Sequence, residues 1–137
     1  KVQIRGMLRE VTEIESIGDS CYNLARTINR KRRGNEDFTS AQYEHITQMF
    51  QLTDDALTQM IALVEDMHQQ VDVNKSFNIE MEINNYRNQL KSRNIEDINN
   101  KLYQYQDGVY YMDMVSESEK LGDYVLNVVQ AVIEKKI

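Results

Sequence analysis

Residues 11–25, VTEIESIGDSCYNLA, and residues 115–129, VSESEKLGDYVLNVV, carry one pattern twice. At an offset of 104 residues, Glu13, Glu15, Gly18, Asp19 and Asn23 fall on Glu117, Glu119, Gly122, Asp123 and Asn127. The apolar frame follows, with Val11 on Val115, Ile17 on Leu121, Leu24 on Val128 and Ile28 on Val132, and Thr12 lies on Ser116. Two amphipathic helices share a period by chance, but not five identical polar or glycine positions. The pattern is therefore that of an internal duplication. If the unit is about 104 residues, the first segment is the last helix of one copy and the rest of the chain is a complete second copy.

Working outward, helix one is expected to face inward through Ile4, Met7, Val11, Ile14, Gly18, Cys21, Ala25 and Ile28, spaced by threes and fours. It ends in the basic run Arg30–Arg33 and then Gly34, a residue suited to a left-handed helix end. Helix two opens with a capping box, Thr39 with Gln42, and a hydrophobic staple, Phe38 with Tyr43. Its stripe runs from Tyr43 through Ile46, Met49, Thr53, Met60, Leu63, Val64 and Met67 to Val71. The turn is expected at residues 72–76, which are poor in helix formers. Helix three runs from Phe77 to Gln106, with Ile83, Leu90, Ile98, Leu102 and Tyr105 inward, and Asp107-Gly108 reads as the next turn. Helix four carries Met112, Val115, Gly122, Leu126, Val129 and Ile133 on one side. Short connections favour antiparallel neighbours, so the expected fold is all-α, an up-down-up-down four-helix bundle in a single domain over residues 1–137.

Composition agrees. The chain has no proline, five glycines and one cysteine, which points to long helices and gives no internal disulfide. A net charge of -6 argues against nucleic acid, whose phosphates need a basic surface. No apolar run reaches the ~18–20 residues of a membrane span. The chain opens at Lys1 already inside the helical pattern, from which a longer parent protein is expected.

Glu119 and Asp123 stand one helical turn apart, beside Met112, Val115, Gly122 and Leu126, so both carboxylates lie within or next to the buried stripe. Glu15 and Asp19 repeat this at the edge of their own stripe. Burying an unpaired carboxylate is costly, so a metal ion, a basic partner or a proton must compensate. Facing carboxylates on bundle helices hold cations in some proteins. The plainer account pairs them with Arg87 or Lys101.

The strings EIESIGDSCYNLA and ESEKLGDYVLNVV resemble the helix motif of the PhoU family, Glu-x-x-Gly-Asp followed four residues later by Asn. EMEINNYRNQL, and DGVYYMDMVSESEK after it, resemble the last two helices of a three-helix PhoU repeat. The resemblance implies that residues 1–34 are the last helix of a first repeat and residues 39–137 a second repeat. It implies metal ligands at Glu15 and Asp19, at Glu119 and Asp123, and at Glu80 on the preceding helix, with iron or zinc as the metal. Where the family has an Asp after Glu80, this chain has Asn84, a neutral and weaker ligand. It implies no enzyme but a regulator of phosphate transport, expected as the cytoplasmic domain of a sodium-dependent phosphate cotransporter at the membrane face. Its partner would then be the transmembrane transporter domain of the same polypeptide. The alternatives are a stand-alone regulator of a phosphate ABC transporter and its sensor kinase, or a ligand-free helical interaction bundle. A homodimer is also expected, to cover an exposed stripe.

Other features carry less. Glu65 and His68 have di-iron spacing but occur once, and Glu65 points away from the stripe. His45 has no evident ligand partner, and Cys21 reads as core. The run Arg30–Arg33 reads as helix-end charge, with contact to anionic headgroups a minority reading. Tyr103, Tyr105, Tyr110 and Tyr111 suit a bundle edge.

Overall fold

The computed structural model describes residues 1–34, 37–66 and 70–136, the side chain of Lys136 excepted. Its described residues form four helices and no strand: α1 (Val2–Arg32), α2 (Ser40–Glu65), α3 (Asn74–Asn99) and α4 (Tyr105–Lys136). α4 is the central element, with α1, α2 and α3 all packed on it. α2 and α3 also pack on each other, whereas α1 approaches the backbone of α4 alone. Between α1 and α2 an apolar groove remains, lined by Leu24 and Ile28 on one side and Phe50 and Leu57 on the other.

Contacts at both ends fix the relative directions. Arg9 meets Glu134 while Asn23 meets Glu117, so α1 and α4 run antiparallel. Asn94 reaches Gly108 while Ile83 lies against Gly122, so α3 and α4 do too. The core sits among α2, α3 and α4, around Met49, Ile83, Tyr111, Val115, Val128 and Val129. Each such side chain contributes about 1.5–3 kcal/mol on burial. α2 starts as its sequence indicates. Thr39 Oγ1 accepts from the Gln42 amide, Gln42 Oε1 accepts from the Thr39 amide, and Phe38 meets Tyr43 edge-on at 5.6 Å.

The boundaries around α3 differ from the sequence reading. α2 stops at Glu65, short of Val71, and the Asp66 carboxylate accepts the Val71 amide across the connection. Met67 and His68 lie outside the described residues. α3 begins at Asn74, where the Asp72 carboxylate takes the Asn74 amide, so three of the five residues of the expected 72–76 turn are helical. The second turn is displaced further. It occupies residues 100–104, with Lys101 at φ 59, and Asp107-Gly108 falls inside the first turn of α4. Asp107 there suits the positive end of the helix. Gly108 serves contact rather than turning, since a Cβ at this position would stand 2.5 Å from Ile98 Cδ1. Leu102 and Tyr105, expected inside, are consequently exposed. Nor does Gly34 take the left-handed form; α1 closes with Arg33 in the ordinary helical region.

The larger correction concerns α1. Its buried positions are Gly6, Ile17 and Ser20, while Ile4, Met7, Val11, Ile14, Gly18, Cys21 and Ala25 are exposed. The helix meets α4 through the neighbouring, more polar face; the stripe from Ile4 to Gly18 is exposed, while Cys21, Ala25 and Ile28 line the groove opposite α2. Cys21 is therefore not core but an exposed thiol.

The capping box yields a direct check. Thr39→Ala leaves the Gln42 amide without its acceptor and should lower stability by about 1 kcal/mol, within the ~0.5–2 kcal/mol span of such caps. Urea unfolding would show a lower midpoint at unchanged slope.

Candidate functional site

Two sets of polar residues meet on α4, and the duplication runs through both. The first set joins α1 to α4. Asn23 Nδ2 donates to Glu117 Oε1 at 3.1 Å, and Asn127 Nδ2 donates to Glu13 Oε2 at 3.2 Å. These four residues are two duplicated pairs, and each asparagine bonds the glutamate of the other copy. An approximate twofold exchange of α1 and α4 maps one bond onto the other. Further out, Lys135 Nζ stands 2.9 Å from Glu10, and Arg9 Nη1 stands 2.9 Å from Glu134. The duplication of Glu13, Glu117, Asn23 and Asn127 is plain in the sequence, but their role emerges only from this pairing. The signal was present: residues that recur with their partners need not be ligands.

The second set lies where α4 meets α3. Glu80, Asn84 and Arg87 on α3 face Glu119 and Asp123 on α4. The Asn84 amide donates to Glu80, Glu80 and Asp123 are hydrogen-bonded to each other, and Arg87 Nη2 lies 3.9 Å from Glu119 Oε1. Gly122 permits this approach, since Ile83 Cδ1 would be 3.2 Å from a Cβ placed there. Burial first, and then the neighbouring carboxylate Asp123, push the Glu80 and Glu119 carboxyls above their ordinary values. Asp123, although more open to water, is also raised by desolvation, with Arg87 opposing the shift. The bond between the two carboxyls raises the pKa of Glu80 and opposes the rise at Asp123. Of the compensations open to a buried carboxylate, a guanidinium is in use.

Four of the six residues singled out from the sequence come together: Glu80, Asn84, Glu119 and Asp123. Glu15 and Asp19 do not join them. Both are exposed on the outer side of α1. Among the described residues, no group of three or more His, Cys, Asp or Glu is arranged to hold one metal ion. Arg87, named beforehand as a pairing partner, takes that part; Lys101, named with it, sits in the turn after α3 instead. Beside this cluster a polar cleft of about 500 Å³ is lined by Arg26 and Arg30 of α1, Arg87 of α3 and Glu117, Glu119 and Lys120 of α4.

The remaining candidates resolve differently. His45 Nδ1 is 2.9 Å from the Tyr111 hydroxyl, and burial lowers its pKa. Tyr111 is fully buried rather than at the bundle edge, and Tyr103, bonded to Asn94, is pushed up to about 12 by burial. In the basic run, Lys31 pairs with Asp37, while Arg32 and Arg33 are exposed. Glu65 is exposed, and its expected companion His68 lies outside the described residues. No helix among the described residues is long and apolar enough to cross a membrane. Comparison with protein-family models, with curated proteins and with solved structures finds no match.

The carboxylate cluster makes stability depend on pH. A raised folded-state pKa means that the folded chain binds more protons than the unfolded chain above the ordinary values of 4.5 for Glu and 3.8 for Asp. The cluster's contribution is then most favourable in acid and is lost as pH rises through the raised values. Glu80→Gln keeps a donor for Asp123 without the charge. It should melt at higher temperature than the wild type at pH 7, and its stability should change less between about pH 4 and pH 7.

Proposed function

We propose that the chain is a PhoU-like regulatory domain, a helical bundle of up-down antiparallel design. In this reading α1 is the last helix of one three-helix repeat, and α2–α4 form the next repeat. The domain works at the cytoplasmic face of the membrane as part of a sodium-dependent phosphate transporter and modulates phosphate transport. The observation that carries this reading is the reciprocal bonding of duplicated residues, Asn23 to Glu117 and Asn127 to Glu13. Such exchange follows naturally when two copies of one repeat associate through equivalent helices. The same motif, Glu-x-x-Gly-Asp with its following Asn, is the one that resembles the PhoU family. A stand-alone regulator of a phosphate ABC transporter would use the same surface.

The cluster of Glu80, Asn84, Glu119 and Asp123 offers oxygen donors of the kind that a cation takes. In the metal-dependent form of the proposal, a cation such as iron or zinc would be held by these four residues and would offset the repulsion among their carboxylates. The pairing of Glu119 with Arg87 favours the other form, an interaction bundle that needs no ligand.

Removal of residues 1–137 from the protein in its native host, with labelled phosphate uptake followed at low and high external phosphate, tests the regulatory role. Uptake should lose its restraint at high phosphate by several-fold, and identical uptake curves would contradict the proposal. Elemental analysis of untagged protein after incubation with iron or zinc separates the two forms. Retained metal that disappears in Asp123→Ala supports the first; protein that retains none supports the second.

A further inference from the structure

The docking of α1 on α4 is twofold in pattern but not in charge. The exchange that carries Asn23–Glu117 onto Asn127–Glu13 also carries Arg9 onto Asp113, Gln130 onto Arg26 and Glu134 onto Arg30. On one side of the docked pair Arg9 spans the gap, 2.9 Å from Glu134 and 3.5 Å from Gln130. On the other side the charges are reversed and the gap stays open. Asp113, Arg26 and Arg30 line the polar cleft of about 500 Å³, and among the described residues no ion pair joins them. One place in the duplicated frame is thus closed by a bridge in one copy and left as a cavity in the other.

The cations of this cavity are the under-satisfied groups. Arg26 and Arg30 stand one turn apart on α1, a spacing at which like charges repel. Neither forms an ion pair among the described residues, and Arg26 only rests against the Tyr22 ring, 5.8 Å from its centroid. Arg87 enters from α3. Its pairing with Glu119 is long, at 3.9 Å, and its Nε is buried with no hydrogen-bond acceptor. A guanidinium N–H sealed from water and left unbonded is costly. The carboxylates are better served. Glu117 takes the Asn23 amide on one oxygen and lies 3.9 Å from Lys120 on the other.

A guanidinium presents a planar fork of donors that matches phosphate and carboxylate oxygens. Three such forks, carried on two helices, suit an anion whose oxygens point in several directions, as those of a tetrahedral phosphate do. None of the residues described as lining the cleft is aromatic or a large aliphatic, so nothing there would hold a base or a lipid chain. The volume leaves room beside a phosphoryl group for water or a short polar remainder.

We propose that this cleft binds a phosphoryl dianion through Arg26, Arg30 and Arg87, either as inorganic phosphate or as the phosphate of a small polar ester. The exposed Ser116 hydroxyl on the α4 wall is a further donor. Bound there, the anion bridges α1 to α3, two helices that do not otherwise pack on each other. It therefore tightens the hold on α1, since a ligand that binds only the docked form stabilises that form. The inference does not rest on the transport reading, because the charges of the cleft are the same whatever the parent protein.

Isothermal titration calorimetry of the full chain at constant ionic strength provides the test, with inorganic phosphate, glycerol phosphate and malonate as probes. At least one phosphoryl compound should bind saturably, one per chain and more tightly than malonate, and the tighter of the two names the source. Arg30 is exposed and unpaired, so Arg30→Gln should keep its ligand-free melting temperature while affinity falls roughly tenfold or more. Glu119→Gln frees Arg87 and should bind more tightly, a gain that a purely structural role for the cleft would not produce. Arg9→Gln, on the twofold-related side, should bind as the wild type does. Saturating ligand should also slow amide exchange along α1. The proposal is overturned if neither phosphoryl compound binds saturably at millimolar concentration, if malonate binds equally well, or if Arg30→Gln leaves the affinity unchanged.

Discussion

Two hydrogen bonds between asparagine and glutamate fix how α1 docks on α4. The face that α1 presents to α4 contains Gly6, Glu10, Glu13, Ile17 and Ser20; Ile17 is its one large buried apolar residue, and Leu24 and Ile28 are partly buried against the core. Polar contacts add a second source of attachment to this apolar one. Hydrogen bonds to charged groups contribute roughly 1.5–3 kcal/mol each, and more is lost when a half-buried carboxylate is left without its donor. The bonds Asn23–Glu117 and Asn127–Glu13, with the ion pairs of Glu10 and Arg9 beyond them, supply that attachment. They also set direction and register, because only an antiparallel pairing lets both bonds form at once.

From this constraint the arrangement of the rest follows. α4 must serve two masters, a polar interface toward α1 and an apolar one toward α2 and α3. Its sequence meets both by alternating faces, with Glu117 and Asn127 on one and Val115, Gly122 and Val129 on the other. The carboxylates Glu119 and Asp123 fall at the border of the apolar face, where α3 brings Glu80, Asn84 and Arg87 against them. Arg87 answers part of their charge there, and burial raises the carboxyl pKa values, which makes the cluster sensitive to pH. α1 carries the same border carboxylates, Glu15 and Asp19, but no helix lies against them among the described residues.

Much of this was legible in the sequence, for reasons that can be named. The duplication was visible because identical polar residues at a fixed offset are improbable by periodicity alone. The four helices were visible through their apolar spacing, and the start of α2 through a capping box that is purely local. What the sequence hid was choice between faces. In α1 the apolar stripe was the natural candidate for the core, yet the helix turns its polar face to α4, because duplicated Glu and Asn residues find one another there. No local signal announces that a hydrogen-bonded pairing will outrank a hydrophobic stripe. The turn before α4 was misplaced for a related reason. Asp-Gly is a strong turn dipeptide, but Gly108 is needed for the close approach of Ile98 and Asn94, and Lys101 took the positive φ instead. In the cluster, Glu80, Asn84, Glu119 and Asp123 were foreseen as neighbours, while the separation of Glu15 and Asp19 from them depended on which side of α1 faces inward.

The central claim is that the duplicated asparagine–glutamate bonds dock α1 on α4. Amide hydrogen exchange on the double variant Asn23→Ala, Asn127→Ala tests it most directly. Protection of the α1 backbone should fall by more than tenfold relative to the wild type, while the buried segments of α2, α3 and α4 around Met49, Ile83 and Val128 keep theirs. Unchanged protection along α1 would contradict the account.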